Sequence, residues 1–115
     1  MVVNETIPLE PDTTLTEDDA SLSEPIEVGP YEQGIVFVSI IEATDDAAVD
    51  VEVAIGPTGY EDWDAQWTTV DSADGLDETG MNAIRLSNFG NWIRLRSRLA
   101  RGEEATIAAW FVGKG

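Results

Sequence analysis

The sequence predicts an all-β fold, an antiparallel β-sandwich of about seven to eight strands. Three observations carry this expectation. Short apolar runs with period-two alternation recur from about residue 25 onward. Turn signals separate them: Gly29-Pro30, Asp45-Asp46, Gly56-Pro57-Thr58-Gly59, Ala73-Asp74-Gly75, Asn88-Phe89-Gly90-Asn91 and Arg101-Gly102. No stretch sustains the period of a helix.

Taken in order, residues 1–24 stand apart. They hold Pro8 and Pro11, many hydroxyl and acidic side chains, and only scattered apolar ones. Thr6-Ile7-Pro8-Leu9-Glu10-Pro11 reads as extended, because each proline disfavours helix in the residue before it. The segment is expected to be an extended N-terminal arm or a peripheral strand rather than core, with Ile7 and Leu9 offered to a neighbouring subunit. Residues 25–115 are expected to form the sandwich domain. The candidate strands are 25–28, 35–42, 49–55, 67–71, 81–86, 91–99 and 105–112.

Alternation assigns faces to these strands. Val49, Val51, Val53 and Ile55 point one way and Asp50 and Glu52 the other, as in a half-buried strand. Ile93, Leu95 and Leu99 share one face, and Arg94, Arg96 and Arg98 share the opposite one. Residues 35–41 and 106–112 are apolar on both faces. A sandwich has one core layer and needs one apolar face per sheet. Two strands that are apolar on both sides therefore predict additional burial, against another subunit.

Composition narrows the chemistry. Among 115 residues there are 23 Asp and Glu and 6 Lys and Arg, a net charge of 6 − 23 = −17. There is no Cys and no His, and the single Lys is Lys114. Thiol nucleophiles, disulfides, Cys/His zinc sites and histidine general bases are excluded. The reading is of a non-enzyme with no cofactor. A surface this acidic does not favour nucleic acid, whose phosphates call for cationic surface. The longest apolar run, residues 35–41, is far too short to span a membrane. An excess of acids with almost no Lys fits a protein that works in concentrated salt, where the screening length falls from about 8 Å to about 3 Å. The charge is also divided: residues 1–80 carry 21 of the 23 acids and no cation, and all six cations follow.

Three groups of residues are candidate sites. Arg94, Arg96 and Arg98 form a ladder about 7 Å apart on one strand face. Guanidinium forks there suit carboxylates, in the same chain or across a subunit interface. Tyr60, Trp63 and Trp67 could stack on sugar rings, although packing is the commoner fate of tryptophan. The acidic run Asp71-Ser72-Ala73-Asp74-Gly75-Leu76-Asp77-Glu78 has the oxygen ligands calcium prefers but lacks the spacing of a helix-loop-helix calcium loop. With a fifth of the chain acidic, such a cluster arises by composition, and no metal site is assigned.

The succession of residues 49–59, Trp67-Thr68-Thr69-Val70, residues 82–86, Gly90-Asn91-Trp92-Ile93-Arg94-Leu95-Arg96 and residues 105–114 resembles small jelly-roll structural proteins of tailed viruses. In these a valine-rich strand precedes a Gly-rich turn and a Trp-bearing strand. A short strand, an Arg-bearing strand and a final apolar strand follow. The resemblance implies a jelly-roll-like sandwich and a virion protein that decorates a capsid or completes a head or tail. With the acidic composition, it implies a virus of halophilic archaea. Such proteins assemble as symmetric homo-oligomers, trimers or pentamers, and contact other virion proteins, with no nucleic acid or membrane as partner. The expected location is the virion, with an extracellular or cytoplasmic place in a halophile as alternatives. A carbohydrate- or host-surface-binding module, using Tyr60, Trp63 and Trp67, is the alternative function.

Overall fold

The computed structural model describes residues 4–17, 20–57, 67–86 and 90–115. Nine strands are formed there: β1 (Asn4–Thr16), β2 (Ala20–Leu22), β3 (Ile26–Glu27), β4 (Gln33–Ala43), β5 (Ala48–Gly56), β6 (Thr68–Leu76), β7 (Gly80–Leu86), β8 (Trp92–Arg101) and β9 (Glu104–Lys114). Among the described residues there is no helix. Sheet I has the order β1-β9-β4-β7 and sheet II the order β2-β8-β5-β6, with β3 pairing β8 as well. Every pairing is antiparallel. The chain passes between sheets at β1–β2, β3–β4, β4–β5, β6–β7, β7–β8 and β8–β9. This interleaving of a four-stranded and a five-stranded sheet is of jelly-roll type.

The core lies between the sheets. From sheet I come Val36, Val38 and Ile40 of β4, Ile84 and Leu86 of β7, and Ile107, Ala109 and Phe111 of β9. From sheet II come Val49, Val51 and Val53 of β5 and Ile93 and Leu95 of β8. Phe111 is fully buried, and removing a side chain of that size from water contributes roughly 2–3 kcal/mol. The alternation of β5 and β8 that was read from the sequence is the one seen.

Two expectations are corrected. Residues 1–24 are not a free arm; they supply the peripheral strand β1, and that strand contributes to the core. β1 runs antiparallel along β9, with Ile7 opposite Phe111 and Leu15 opposite Ala105, and β2 pairs with β8. Leu9 and Leu15 are buried in the chain's own core and Ile7 packs against it, so Ile7 and Leu9 do not reach outward to a neighbour. The division at residue 24 is therefore not a boundary of the sandwich. The alternation is hidden because Pro11 and Thr13 fill the positions between Leu9 and Leu15, and because the register shifts between Pro8 and Glu10 and between Glu10 and Thr13 also bury the acidic Glu10. The prolines are tolerated because β1 is an edge strand.

Ala73-Asp74-Gly75 does not make a turn between elements either. β6 continues to Leu76, and a bulge sets Leu76 opposite Val49 and Ala73 opposite Val51. Gly75 adopts a φ of 67° within it, a conformation that suits glycine. Its N–H donates to Asp50 Oδ1 at 2.8 Å.

At one end of the sandwich the β4–β5 and β8–β9 turns are fastened together. Thr44 N–H donates to Glu104 O at 2.9 Å. The Thr44 hydroxyl oxygen accepts from Glu103 N and Glu104 N, each at 3.2 Å. Arg101 Nε donates to Asp46 O at 3.1 Å. Gly102, at φ 91°, lies so close that an added Cβ would be 2.4 Å from Ala47 Cα.

Candidate functional site

The two outer faces of the sandwich differ in chemistry, and the difference follows from which strands the topology makes neighbours. On sheet II, β8 lies beside β5, with Arg98 opposite Asp50, Arg96 opposite Glu52 and Arg94 opposite Ala54. The arginine ladder therefore faces a ladder of carboxylates in the same chain. Arg98 Nη2 donates to Asp50 Oδ2 at 3.2 Å, with the arginine side chain 63% exposed. Such a pair contributes at most about 1 kcal/mol. Arg101 pairs with Asp77 at 3.4 Å, again exposed. Asp50, Glu52, Asp74, Arg96 and Arg98 line a small cleft of about 160 Å³. Its acids outnumber its cations, so it has no preference for an anion.

Arg94 has a different role from the other two. It is 4% exposed. Its Nε and Nη2 donate to the Ser23 carbonyl oxygen at 3.1 and 2.9 Å. Its guanidinium carbon stands 5.5 Å from the centre of the Trp67 ring. Ser23 lies between β2 and β3, where the edge of sheet II is interrupted. Its N–H donates to Leu95 O at 2.8 Å, and its hydroxyl oxygen accepts from Leu95 N at 2.7 Å. Arg94 therefore anchors an internal strap and is not presented to a partner.

Trp67 is itself buried, 7% exposed, and gives no open platform for a sugar ring. Tyr60 and Trp63 lie outside the described residues. Of the acidic run, Asp71 to Leu76 belongs to β6, and among the described residues no three acidic side chains are gathered as a metal site would need.

Sheet I places the two doubly apolar strands, β4 and β9, side by side in its centre. Phe37 faces Trp110 directly across the ladder, Ile35 faces Val112, and Ser39 faces Ala108. On the flanks, Thr6 and Pro8 of β1 stand opposite Val112 and Trp110. Met81 and Ala83 of β7 stand opposite Ser39 and Phe37. Thr6, Phe37, Met81, Trp110 and Val112 border one shallow depression of about 370 Å³. Met81 is 59% exposed. These residues point away from the core that Val36, Val38, Ala109 and Phe111 fill. No acidic residue occurs among them, in a chain with 23 acids.

Two polar features escaped sequence reasoning. Glu10 is buried where β1 shifts register; its Oε1 accepts from Thr13 Oγ1 at 2.9 Å and Ser21 Oγ at 3.2 Å, and its Oε2 has no partner among the described residues. Tyr31 packs its ring 5.7 Å from Phe111. Its phenol is held above its ordinary pKa by a hydrogen bond to Glu5, with burial and the Glu5 charge adding to the effect.

No family model and no curated protein matches the chain. Among solved structures, the mitogen derived from Yersinia pseudotuberculosis superimposes with a TM-score of 0.53 at 8% identity, over 96% of this chain and 84% of that one. A chain from the structure of infectious bursal disease virus, Gx strain, superimposes with a TM-score of 0.51 at 10% identity. That match covers 98% of this chain and 32% of the viral one, so this chain spans about a third of its length. At these identities the likeness is one of fold, a β-sandwich of jelly-roll type.

Proposed function

We propose that the chain is a non-enzymatic structural protein of a virion, a capsid decoration or head/tail accessory module that works by packing against copies of itself and other virion proteins in concentrated salt. The observation that carries this reading is the acid-free apolar centre of the outer face of sheet I, around Phe37 and Trp110. A one-layer sandwich has no internal use for a second apolar face, and exposed apolar patches rimmed by polar residues mark interaction surfaces. The jelly-roll topology, shared with a viral chain, accords with it. So does a composition without Cys or His. The glycan-binding alternative gains nothing from Trp67, which is buried beside Arg94.

Peptide mass spectrometry of virus particles purified from the source culture tests the location. The chain should be present in fixed proportion to the major particle proteins, and its absence would overturn the reading. Salt adaptation has a separate check. With a net charge of −17, the melting temperature should rise from low to multimolar salt as carboxylate repulsion is screened. Equal or greater stability at low salt would remove that part of the proposal.

A further inference from the structure

The apolar face of sheet I is polar at its two ends, and in opposite senses. Along β9 the outward residues run Glu104, Thr106, Ala108, Trp110, Val112, Lys114. At one end, Lys114 pairs with Gln33, and Arg85 of β7 stands beside Ile35 in the next row. At the other end, Glu42 pairs with Thr106, and Glu104 lies beyond it. All four charged side chains are exposed. Cations thus close one end of the strip and acids the other, with Phe37–Trp110 and Ser39–Ala108 between them.

We propose that the partner on this face is a second copy of the chain, docked sheet I against sheet I about a two-fold axis that lies in the interface and runs across the strands. This rests on the reading of the face as an assembly surface and names its occupant. Charge selects the axis. Rotation about an axis across the strands sets Arg85 and Lys114 of each copy over Glu42 and Glu104 of the other, at both ends. Rotation about an axis along the strands would set like charges over like. The face is self-complementary only in the first arrangement, as an isologous contact requires. The contact is therefore a pair and not the unit of a trimer or pentamer.

Its strength can be bounded. Four strands about 4.8 Å apart and a run of about six residues at 3.4 Å each enclose roughly 400 Å² per copy. Twice that is well under the roughly 1,200 Å² of a stable complex. The free chain should therefore pair with a dissociation constant in the micromolar range or weaker, and more tightly as salt screens the −17 carried elsewhere.

Sedimentation equilibrium at about 0.5 M salt tests the arrangement with two double variants. Arg85→Glu with Lys114→Glu makes both ends acidic, and Glu42→Lys with Glu104→Lys makes both ends basic. Circular dichroism should show both folded, since all four sites are exposed. Each variant alone should pair roughly tenfold or more weakly than the parent, and an equimolar mixture should recover the parent's association. The basic variant is decisive, because its net charge falls in magnitude to −17 + 4 = −13. Bulk repulsion alone would make it associate more tightly, whereas the end-to-end pairing makes it weaker. Tighter association of that variant, or failure of the mixture to recover, overturns the arrangement. A parent chain that stays monomeric to about 1 mM also overturns it. If that chain were nevertheless found in purified virions, the virion role would stand with another occupant on the face.

Discussion

Replacing Arg94 by methionine tests how unequal the three ladder arginines are. Methionine keeps the length of the stem and removes the guanidinium. Two hydrogen bonds from a charged donor to the Ser23 carbonyl are lost, at 3.1 and 2.9 Å, leaving a buried acceptor unpaired at a cost of about 2 kcal/mol. The contact with the Trp67 ring at 5.5 Å adds about 1 kcal/mol. Relief of the buried charge's desolvation returns a fraction, so the expected loss is about 2.5 kcal/mol. At roughly 2.1 cal/mol/K per residue, unfolding entropy is about 0.24 kcal/mol/K for this chain, and the melting temperature should fall by about 10 °C. Arg98→Met, which leaves Asp50 still bonded to Gly75 N–H, should cost under about 1 kcal/mol and less at high salt. Denaturant unfolding of both variants at low and high salt is the assay. Equal losses at the two positions, or an Arg94→Met midpoint unchanged from the parent, would refute the assignment of Arg94 as an internal anchor.

Three further outcomes are expected. Ser97 Oγ is fully buried with no hydrogen-bond partner among the described residues, so Ser97→Ala should raise stability by about 1 kcal/mol, read as a higher denaturant midpoint; a lower midpoint would show that the hydroxyl is satisfied. Gly34→Ala would set a Cβ 2.3 Å from Phe111 Cε2 and should destabilise by about 1–3 kcal/mol through overpacking, and a silent substitution would mean that Phe111 moves freely. Tyr31 should ionise above its ordinary 10.0 by absorbance titration, and Glu5→Gln should bring the value down. The phenol's raised value favours its neutral form in the folded state, so its contribution is complete below pH 10 and fades as pH rises through the folded pKa; a Glu5→Gln titration identical to the parent's would refute the hydrogen bond.

Much of the sandwich was legible because its central strands obey simple alternation. Val49, Val51 and Val53 face the core with Asp50 and Glu52 between them, and β8 splits its leucines from its arginines. The doubly apolar runs around Phe37 and Trp110 also signalled a second apolar face, though not that the two strands are neighbours, which depends on topology. The edge strand β7 was read as 81–86, but β1 and the second half of β6 were not legible. In β1, Pro11 and Thr13 interrupt the apolar positions between Leu9 and Leu15, and prolines that argue against a central strand are harmless at an edge. In β6, the bulge at Gly75 imitates a turn between strands. The identity of Arg94 as the buried member of its ladder was invisible for another reason. Alternation gives a residue's face but not what crosses over it, and Ser23 is 71 positions away.

The pairing of β1 with β9 has a consequence in time. Asn4 is set against Lys114 and Thr16 against Glu104, so the first strand finds its partner only after the last one exists. β9 also separates β1 from β4, and without it sheet I is reduced to the β4–β7 pair. A chain still lacking β9 would show both apolar faces of β4 to its surroundings. Contacts of such long sequence separation make folding slow, and an incomplete chain of this kind is the species most prone to aggregate. The same strand that supplies half of the outer apolar face thereby sets the moment at which the inner one is sealed.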